Sequence, residues 1–198
     1  MIEEKLLASG IALIAGVDEA GRGACAGPLV IAAVILRDLR DPKLGSVTDS
    51  KKLTPEKREL LFAEIVDSAL THSIIEISSA EIDQKGLHNC NIEGMRRAAG
   101  SLSIRPEYIL TDGYSIPGLE IENLAIWKGD QVALSISAAS ILAKVYRDRV
   151  MCELDLKYPG YGLESHKGYA TQAHEKAMEI LGVSPIHRKS YANVARHL

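Results

Sequence analysis

The residues best suited to chemistry stand together near the start of the chain, where Asp18 and Glu19 precede the turn Gly21-Arg22-Gly23. Carboxylate oxygens are good ligands for hard divalent cations. The two glycines let the backbone come close to a ligand, and the arginine suits a phosphate or carboxylate partner. The combination predicts a metal site beside an anion site, which is what metal-assisted phosphodiester chemistry needs.

Two further aspartates occupy comparable places. Asp112 follows the apolar residues 108–110 and precedes Gly113, and Asp130 closes the segment 127–130 ahead of a predicted long helix. Each alone has an ordinary explanation, because Asp-Gly commonly forms a turn and an aspartate before a helix commonly caps it. All four acids, however, stand at the ends of separate apolar segments close to a glycine. We therefore expect them to cluster around metal ions.

The elements that must position these acids follow from the hydrophobic pattern and the capping signals. Strands are predicted over residues 11–17, 29–36, 74–77, 108–110 and 119–127. Helices are predicted from Thr54 to about 70, from Ser78 as a capping residue, over 87–102, from Ser135 or Ser137 to about 156, and from Thr171 to about 182. Strands mixed with helices, followed by a mainly helical last third, indicate an α/β domain.

Composition excludes several classes of protein. With 198 residues and 46% hydrophobic residues, the chain suits one domain with a sizeable core. A net charge of -3 argues against a protein that coats nucleic acid non-specifically. No segment has the roughly 18 to 20 apolar residues of a membrane span, and the start of the chain does not resemble a signal peptide, so we expect a cytoplasmic protein. Three dispersed cysteines indicate free thiols rather than a zinc site or disulfides.

Beyond these patterns, the sequence carries an ordered set of short motifs. They are GVDEAGRG (16–23), AGPLV (26–30), TDSKKLT (48–54), TDG (111–113), KGD (128–130), SAASILAKVYRD (137–148), YPGYG (158–162), HKGYAT (166–171) and HRKSY (187–191). In this set the chain resembles type 2 ribonuclease H, also called ribonuclease HII, from about residue 14 to residue 191. The length of the match and the order of its motifs make the resemblance specific.

The resemblance implies a ribonuclease H-like α/β fold, with a five-stranded mixed sheet flanked by helices. It implies one catalytic domain over 1–198, in which roughly 150–198 form a helical C-terminal extension. The implied enzyme hydrolyses the RNA strand of RNA–DNA hybrids and nicks duplex DNA on the 5′ side of single embedded ribonucleotides. It leaves 3′-hydroxyl and 5′-phosphate ends and uses Mg²⁺ or Mn²⁺. We expect a monomer with no membrane partner.

The family's four catalytic acids fall, by this likeness, on Asp18, Glu19, Asp112 and Asp130, and the first three are then metal ligands. The turn Gly21-Arg22-Gly23 would sense the ribose 2′-hydroxyl through backbone groups. Tyr169 would hydrogen-bond that hydroxyl and stack on the next sugar. A 2′-hydroxyl is both donor and acceptor and separates RNA from DNA at a given site.

Other substrate contacts are implied around these residues. Ser50, Lys51 and Lys52 are candidates for holding backbone phosphates, and His166 and Lys167 are expected to face substrate beside Tyr169. Lys144, Arg147 and Asp148 share one helix, and their spacing suits a surface ion pair. In one departure, Gly86 stands where many relatives have an asparagine, and Asn89 or Asn91 is the candidate replacement.

Other functions remain open at this stage. A structure-specific DNA nuclease of the resolvase kind, on the same fold, would cut branched DNA without needing a 2′-hydroxyl. A non-catalytic hybrid-binding module fits less well, because clustered acids repel a phosphate backbone unless metals neutralise them. A metal-dependent phosphatase would cleave small phosphomonoesters but not duplexes.

Overall fold

The computed structural model describes residues 2–48, 50 and 53–198. Its centre is a five-stranded sheet in the order β3-β2-β1-β4-β5. Strands β1, β2 and β3 pair antiparallel, whereas β4 pairs parallel to β1 and β5 pairs parallel to β4. The strands are β1 Ile14–Ala20, β2 Leu29–Leu36, β3 Ala69–Ile77, β4 Tyr108–Asp112 and β5 Glu122–Ile126. The mixed five-stranded sheet is the one implied by the resemblance.

Helices flank this sheet on both faces. They are α1 Ile2–Ala8, α2 Pro55–Ser68, α3 Ser79–Lys85, α4 Leu87–Gly100, α5 Leu134–Lys157, α6 Leu163–His166, α7 Gln172–Leu181 and α8 Ala192–Ala195. Short 3-10 turns lie at Pro42–Ser46 and Gly129–Gln131. Among residues 2–48, 50 and 53–198, no helix combines the length and the apolar character that crossing a bilayer requires.

The strand β2 shows why the core has two halves. All of Leu29–Leu36 is buried, as its uninterrupted apolar sequence predicts for a strand covered on both faces. Successive side chains point to opposite faces, so Ile31 packs with residues of α4 on one face. Val30 and Val34 pack with residues of α2 and α5 on the other face.

Helix α5 lies unusually close to β1. A Cβ on Gly16 would come 2.0 Å from the carbonyl carbon of Ser135, a distance that no side chain could tolerate. Gly16 therefore lets the first turn of α5 lie directly on the strand that carries the first two acids. This contact places later residues of α5 beside the carboxylates.

Several element boundaries differ from the prediction. The first strand begins at Ile14 and runs to Ala20, rather than covering 11–17, and helix α1 was not predicted. Ser135 and Ser137 lie inside α5, so their prediction as helix caps is wrong. The Ser135 N–H and hydroxyl instead donate to Glu3 Oε1, both at 3.0 Å. A partner 132 residues away cannot be read from local sequence.

The local capping predictions are confirmed. Thr54 Oγ1 accepts from the N–H of Lys57, Ser78 Oγ from that of Glu81, and Thr171 Oγ1 from that of His174. Each bond satisfies a backbone donor that the first turn of a helix leaves without an intrahelical partner. Cys25 and Cys90 are buried free thiols, as expected, and Cys152 is a half-buried one.

Candidate active site

The parallel pairing of β1 with β4 brings the first acids together. The register pairs Val17 with Thr111, so Asp18 and Asp112 follow at the same edge of the sheet. Ligand-facing residues collect at the carboxyl ends of parallel strands. Asp18 and Glu19 themselves lie within β1, which contradicts a strand that stops before them. Both still face one cavity because that cavity opens where β1 ends.

The cavity at this edge has a volume of about 370 Å³. Its lining includes eight of the predicted site residues, which are Asp18, Glu19, Gly21, Arg22, Gly23, Ser50, Asp112 and Tyr169. Ala20, Ser140 and Lys144 complete it. Residues from β1, β4, α5 and the loop around 169 thus meet at one place.

The fourth acid occupies a different position. Asp130 is buried in the 3-10 turn Gly129–Gln131 and does not line the cavity. Asp112 Oδ1 accepts a hydrogen bond from the N–H of Gly129 at 2.8 Å, which ties this turn to the end of β4. The residue that caps α5 is Ala133, so the alternative reading of Asp130 as the cap is wrong.

Electrostatics at the site are dominated by crowded negative charge. Burial raises the pKa of Asp18 well above its usual range, and the neighbouring carboxylates of Glu19 and Asp112 raise it further. The Ser140 hydroxyl and the Glu19 N–H, which lies 2.7 Å from Asp18 Oδ1, act in the opposite direction. A buried carboxylate beside two others needs a compensating positive charge.

The donor set fits a divalent cation, because it consists of carboxylate oxygens converging from two strands. Within the described ranges, no three His, Cys, Asp or Glu side chains already form a ready-made metal site. Asp112 is instead turned toward the Gly129 N–H. Asp18, Glu19 and Asp112 all line the cavity, and a cation bound among them would relieve their mutual repulsion.

The Gly21-Arg22-Gly23 turn is shaped by a buried arginine behind it. Gly21 has φ +87°, and a Cβ there would come 1.8 Å from Nε of Arg147. The interpretation of Arg147 as part of a surface ion pair is wrong, because the residue is only 1% exposed. Lys144 and Asp148 do form the expected pair, at 2.7 Å. The guanidinium of Arg147 has a structural task instead.

Arg147 joins two loops of the site. Its Nε donates to Pro28 O at 2.9 Å, Nη2 to Ala26 O at 3.1 Å and Nη1 to Lys167 O at 2.9 Å. Burial lowers its pKa to about 10, so it stays charged at neutral pH. The guanidinium carbon also lies 5.7 Å from the centre of the Tyr169 ring.

A second buried arginine fixes the turn from its other side. Arg188 donates from Nη1 to Arg22 O at 3.0 Å and from Nε and Nη2 to Gly27 O at 3.2 and 3.1 Å. The Tyr191 hydroxyl adds a bond to Arg22 O at 2.8 Å. The motif at 187–191 therefore supports the turn from the far end of the chain.

Some predicted contacts lie away from the cavity. Lys167 Nζ donates to Cys152 Sγ at 3.1 Å, and His166 Nε2 lies 2.8 Å from Tyr161 O. Neither residue lines the cavity of the carboxylates. Lys51 and Lys52 fall outside the described residues.

The region around Gly86 does not offer a simple replacement for an asparagine. Gly86 joins α3 to α4 with φ +81°. Asn91 is fully buried, so it cannot reach a ligand at the surface. Asn89 is exposed, but its amide donates to Lys85 O at 2.9 Å.

Two polar residues of the cavity were not among the predicted site residues. Ser140 lies within the motif at 137–148, and its hydroxyl lies 3.0 Å from that of Ser50. Lys144, predicted as a member of a surface ion pair, stands four residues further along α5 and lines the same cavity. The spacing of four places both on one helix face, which was the available signal once α5 was known to cover β1.

Comparison with known proteins places this geometry in a family. Residues 15–194 match the family model described as ribonuclease HII. A ribonuclease HII of Corynebacterium jeikeium is 53% identical over 195 residues, covering 98% of this chain and 94% of that protein. The ribonuclease H2 of Pyrococcus horikoshii superposes with a TM-score of 0.80 at 31% identity, over 92% of this chain and 95% of that one.

A more distant structure shares the fold. Bst-RNase HIII, solved in complex with Mn²⁺, superposes with a TM-score of 0.68 at 17% identity. The superposition covers 93% of this chain and 68% of that one. At this identity the likeness concerns the arrangement of the sheet and helices.

Proposed function

Because the chain belongs to the ribonuclease HII family, we propose that it nicks duplex DNA on the 5′ side of single embedded ribonucleotides and also cleaves the RNA strand of RNA–DNA hybrids. The family makes it a ribonuclease, a hydrolase of phosphodiester bonds that depends on a divalent metal ion. The proposal adds the substrate, the polarity of the cut and the residues that act. The proposed cut leaves 3′-hydroxyl and 5′-phosphate ends.

Four acids carry the chemistry in this proposal. Asp18, Glu19 and Asp112 hold Mg²⁺ or Mn²⁺, and Asp130 is the fourth catalytic acid. The bound metal supplies an activated water and charge neutralisation at the leaving oxygen. The protein's own task is to keep these carboxylates close together at the end of β1 and β4, where their repulsion favours cation binding.

The observation that carries the proposal is that the turn and Tyr169 lie side by side in the cavity of the carboxylates. A Cβ on Gly23 would stand 3.8 Å from Cε1 of Tyr169. A ribose held there meets backbone donors and acceptors on one side and a phenol on the other. Those partners can distinguish a 2′-hydroxyl from a 2′-hydrogen.

Positive charge for the phosphates lies beside the same cavity. Lys144 lines it from α5, together with Ser50, whose hydroxyl is buried against Ser140. We assign Ser50 and Lys144 to binding the phosphates near the cut. We assign Lys51 and Lys52 to binding phosphates of the same nucleic-acid strand. His166 and Lys167 contribute by shaping the loop that carries Tyr169.

The test compares three labelled duplexes with Mg²⁺ and separately with Mn²⁺. They are all-DNA, DNA with one ribonucleotide, and a full RNA–DNA hybrid, each with a chelator control. The proposal expects one metal-dependent cut 5′ to the single ribonucleotide, several cuts in the hybrid and none in all-DNA. Cutting of branched all-DNA substrates alone would favour the resolvase alternative.

Matched variants separate the roles within the site. Tyr169→Ala should slow nicking at the single ribonucleotide by more than it slows hybrid cleavage, because it removes both the bond to the 2′-hydroxyl and the packing on the next sugar, which together read the RNA–DNA junction. Tyr169→Phe keeps the ring and loses only the hydroxyl bond, so it should lie between Tyr169→Ala and wild type. An equal loss on both substrates would refute the junction-reading role of Tyr169.

A further inference from the structure

Behind the Tyr169 loop lies a pair of buried histidines that the proposed chemistry does not use. His174, in the first turn of α7, is 0% exposed, and His187 is 1% exposed. Their Nε2 atoms are 3.1 Å apart. The ring of His166, at the end of α6, stacks on that of His174 with centroids 4.3 Å apart. These rings connect the end of the chain to the loop that carries Tyr169.

The bonds at the two ends of the pair determine where its protons lie. The backbone N–H of Ser184 is 3.1 Å from His187 Nδ1 and can only donate, and the Ser184 hydroxyl at 2.8 Å can donate to the same atom, so the His187 proton lies on Nε2. That Nε2–H donates to His174 Nε2, so the His174 proton lies on Nδ1. His174 Nδ1–H then donates to the carbonyl oxygen of Tyr169 at 3.0 Å, which can only accept.

The opposite order of protons is less favourable at the Ser184 end and fails at the Tyr169 end. A proton on His187 Nδ1 could bond to the Ser184 hydroxyl at 2.8 Å or to the Ser184 carbonyl at 3.3 Å, but it would face the Ser184 N–H. His174 Nδ1 would then become an acceptor opposite the Tyr169 carbonyl oxygen. Burial lowers the pKa of both rings, that of His187 to about 4, so both are neutral at neutral pH. The hydrogen bonds that run from Ser184 through His187 and His174 to the Tyr169 carbonyl, here called the relay, require this neutrality.

The relay acts on a loop whose backbone is held on both sides. The N–H of Tyr169 donates to His166 O at 2.9 Å, and its carbonyl accepts from His174. The two preceding residues are left-handed, with φ 51° at Lys167 and φ 80° at Gly168. Glycine adopts this conformation without strain, but at Lys167 it persists only where surrounding bonds enforce it. With the backbone fixed, only two side-chain torsions set the position of the Tyr169 ring.

We propose that His187 and His174 are positioning residues, which pass a fixed order of hydrogen bonds from Ser184 to the Tyr169 carbonyl and so hold the Tyr169 ring in the cavity of the carboxylates. This inference rests on the substrate role proposed above for Tyr169. Neither histidine touches substrate. Their effect is on selectivity for a single ribonucleotide, since hybrid cleavage depends less on Tyr169.

The first test reads the tautomers directly in the wild-type protein. Two-bond ¹H–¹⁵N correlation spectra of the imidazoles at neutral pH should show His187 protonated on Nε2 and His174 protonated on Nδ1. The reverse assignment, or a charged ring, would overturn the relay whatever the activity of the enzyme. This measurement needs no variant and no substrate.

The second test compares pairs of substitutions by the ratio of single-ribonucleotide nicking to hybrid cleavage. His174→Asn can still place an N–H near the Tyr169 carbonyl, whereas His174→Leu cannot. Losing one buried hydrogen bond should lower the ratio about tenfold in His174→Leu, and His174→Asn should stay near wild type. His187→Gln keeps a donor toward His174, and His187→Asn keeps only the acceptor for Ser184, so only the latter should lower the ratio.

Controls separate this inference from the proposed function. His72 is exposed on β3, and His72→Asn should leave the ratio unchanged. If Tyr169→Ala changes the ratio but a folded His174→Leu does not, the relay is refuted and the role of Tyr169 stands. If Tyr169→Ala leaves the ratio unchanged, the role of Tyr169 fails and the positioning proposal fails with it, even with the expected tautomers.

Discussion

The guanidinium of Arg147 occupies the place where a side chain on residue 21 would lie. A Cβ built on Gly21 would come 1.8 Å from Nε of Arg147 and 2.5 Å from its Cδ. The glycine is therefore required for two independent reasons, its positive φ and the arginine behind it. The turn that lines the cavity and the helix that carries Arg147 are fitted to each other at this point.

Gly21→Ala should disable the enzyme on both substrates. Left-handed strain and the displacement of Arg147 together should lower the free energy of unfolding by about 2 to 4 kcal/mol. Urea unfolding and cleavage assays measure the two effects. Gly23→Ala is the matched control, because the nearest atom to its Cβ, in Tyr169, is 3.8 Å away. Equal stability of both variants would contradict the fit described above.

Arg147→Met should destabilise the protein, because it leaves the carbonyls of Ala26, Pro28 and Lys167 without their guanidinium donors. Leaving such buried groups unsatisfied should lower the free energy of unfolding by about 3 kcal/mol. On the same helix, Arg149 is half exposed and paired with Glu59. Arg149→Met should change stability by less than about 1 kcal/mol. Similar unfolding midpoints for the two variants would argue against the role of Arg147 in joining the two loops.

Asp18→Asn should abolish cleavage and leave the thermal midpoint unchanged or raised. The substitution removes a buried charge whose pKa is raised by burial and by the neighbouring acids, so it relieves repulsion in the metal-free protein. Asp67→Asn, at an exposed position on α2, should keep full activity. Calorimetry without metal and cleavage with metal give both readings. Normal turnover of the Asp18 variant would remove this residue from the catalytic set.

Stability should fall in acid through the histidine pair. The native pKa of His187 is lowered to about 4, and an unfolded histidine titrates near 6.5. Between these values the unfolded chain binds more protons than the folded chain. The contribution of this group to the free energy of unfolding is therefore fully present above about pH 6.5, and it falls toward pH 4 by up to about 1.4 kcal/mol per pH unit. His187→Gln should flatten that slope. An unchanged slope in urea titrations would show that another group causes it.

Some of the fold could be predicted because its causes are local. The apolar run of β2 marks a strand buried on both faces, and its observed bounds, Leu29–Leu36, are those predicted. Thr54 and Ser78 cap helices through bonds to residues three positions away. The first two acids and Asp112 were brought together as expected, because parallel strands end at a common edge.

Other features depend on contacts that local sequence does not contain. Arginine is usually exposed, so nothing near Arg147 indicated that its partners would come from residues 26–28 and 167. Ser135 looked like a cap, but it bonds to Glu3 at the other end of the chain. The hydrogen bond between His174 and His187 could not be predicted without knowing that α7 packs beside the segment of Ser184 and His187.

The two buried arginines also determine whether the protein or the duplex changes shape when a duplex binds. Their donors hold the carbonyls of Arg22, Gly27 and Lys167, among others, so the turn and the tyrosine loop form a single preformed template. If the chain acts on duplexes as proposed, a duplex that does not already match this template has to deform locally to bind it. The energy of that deformation depends on the sequence and stiffness of the duplex. Base pairs that the protein never touches should therefore influence how fast it cuts.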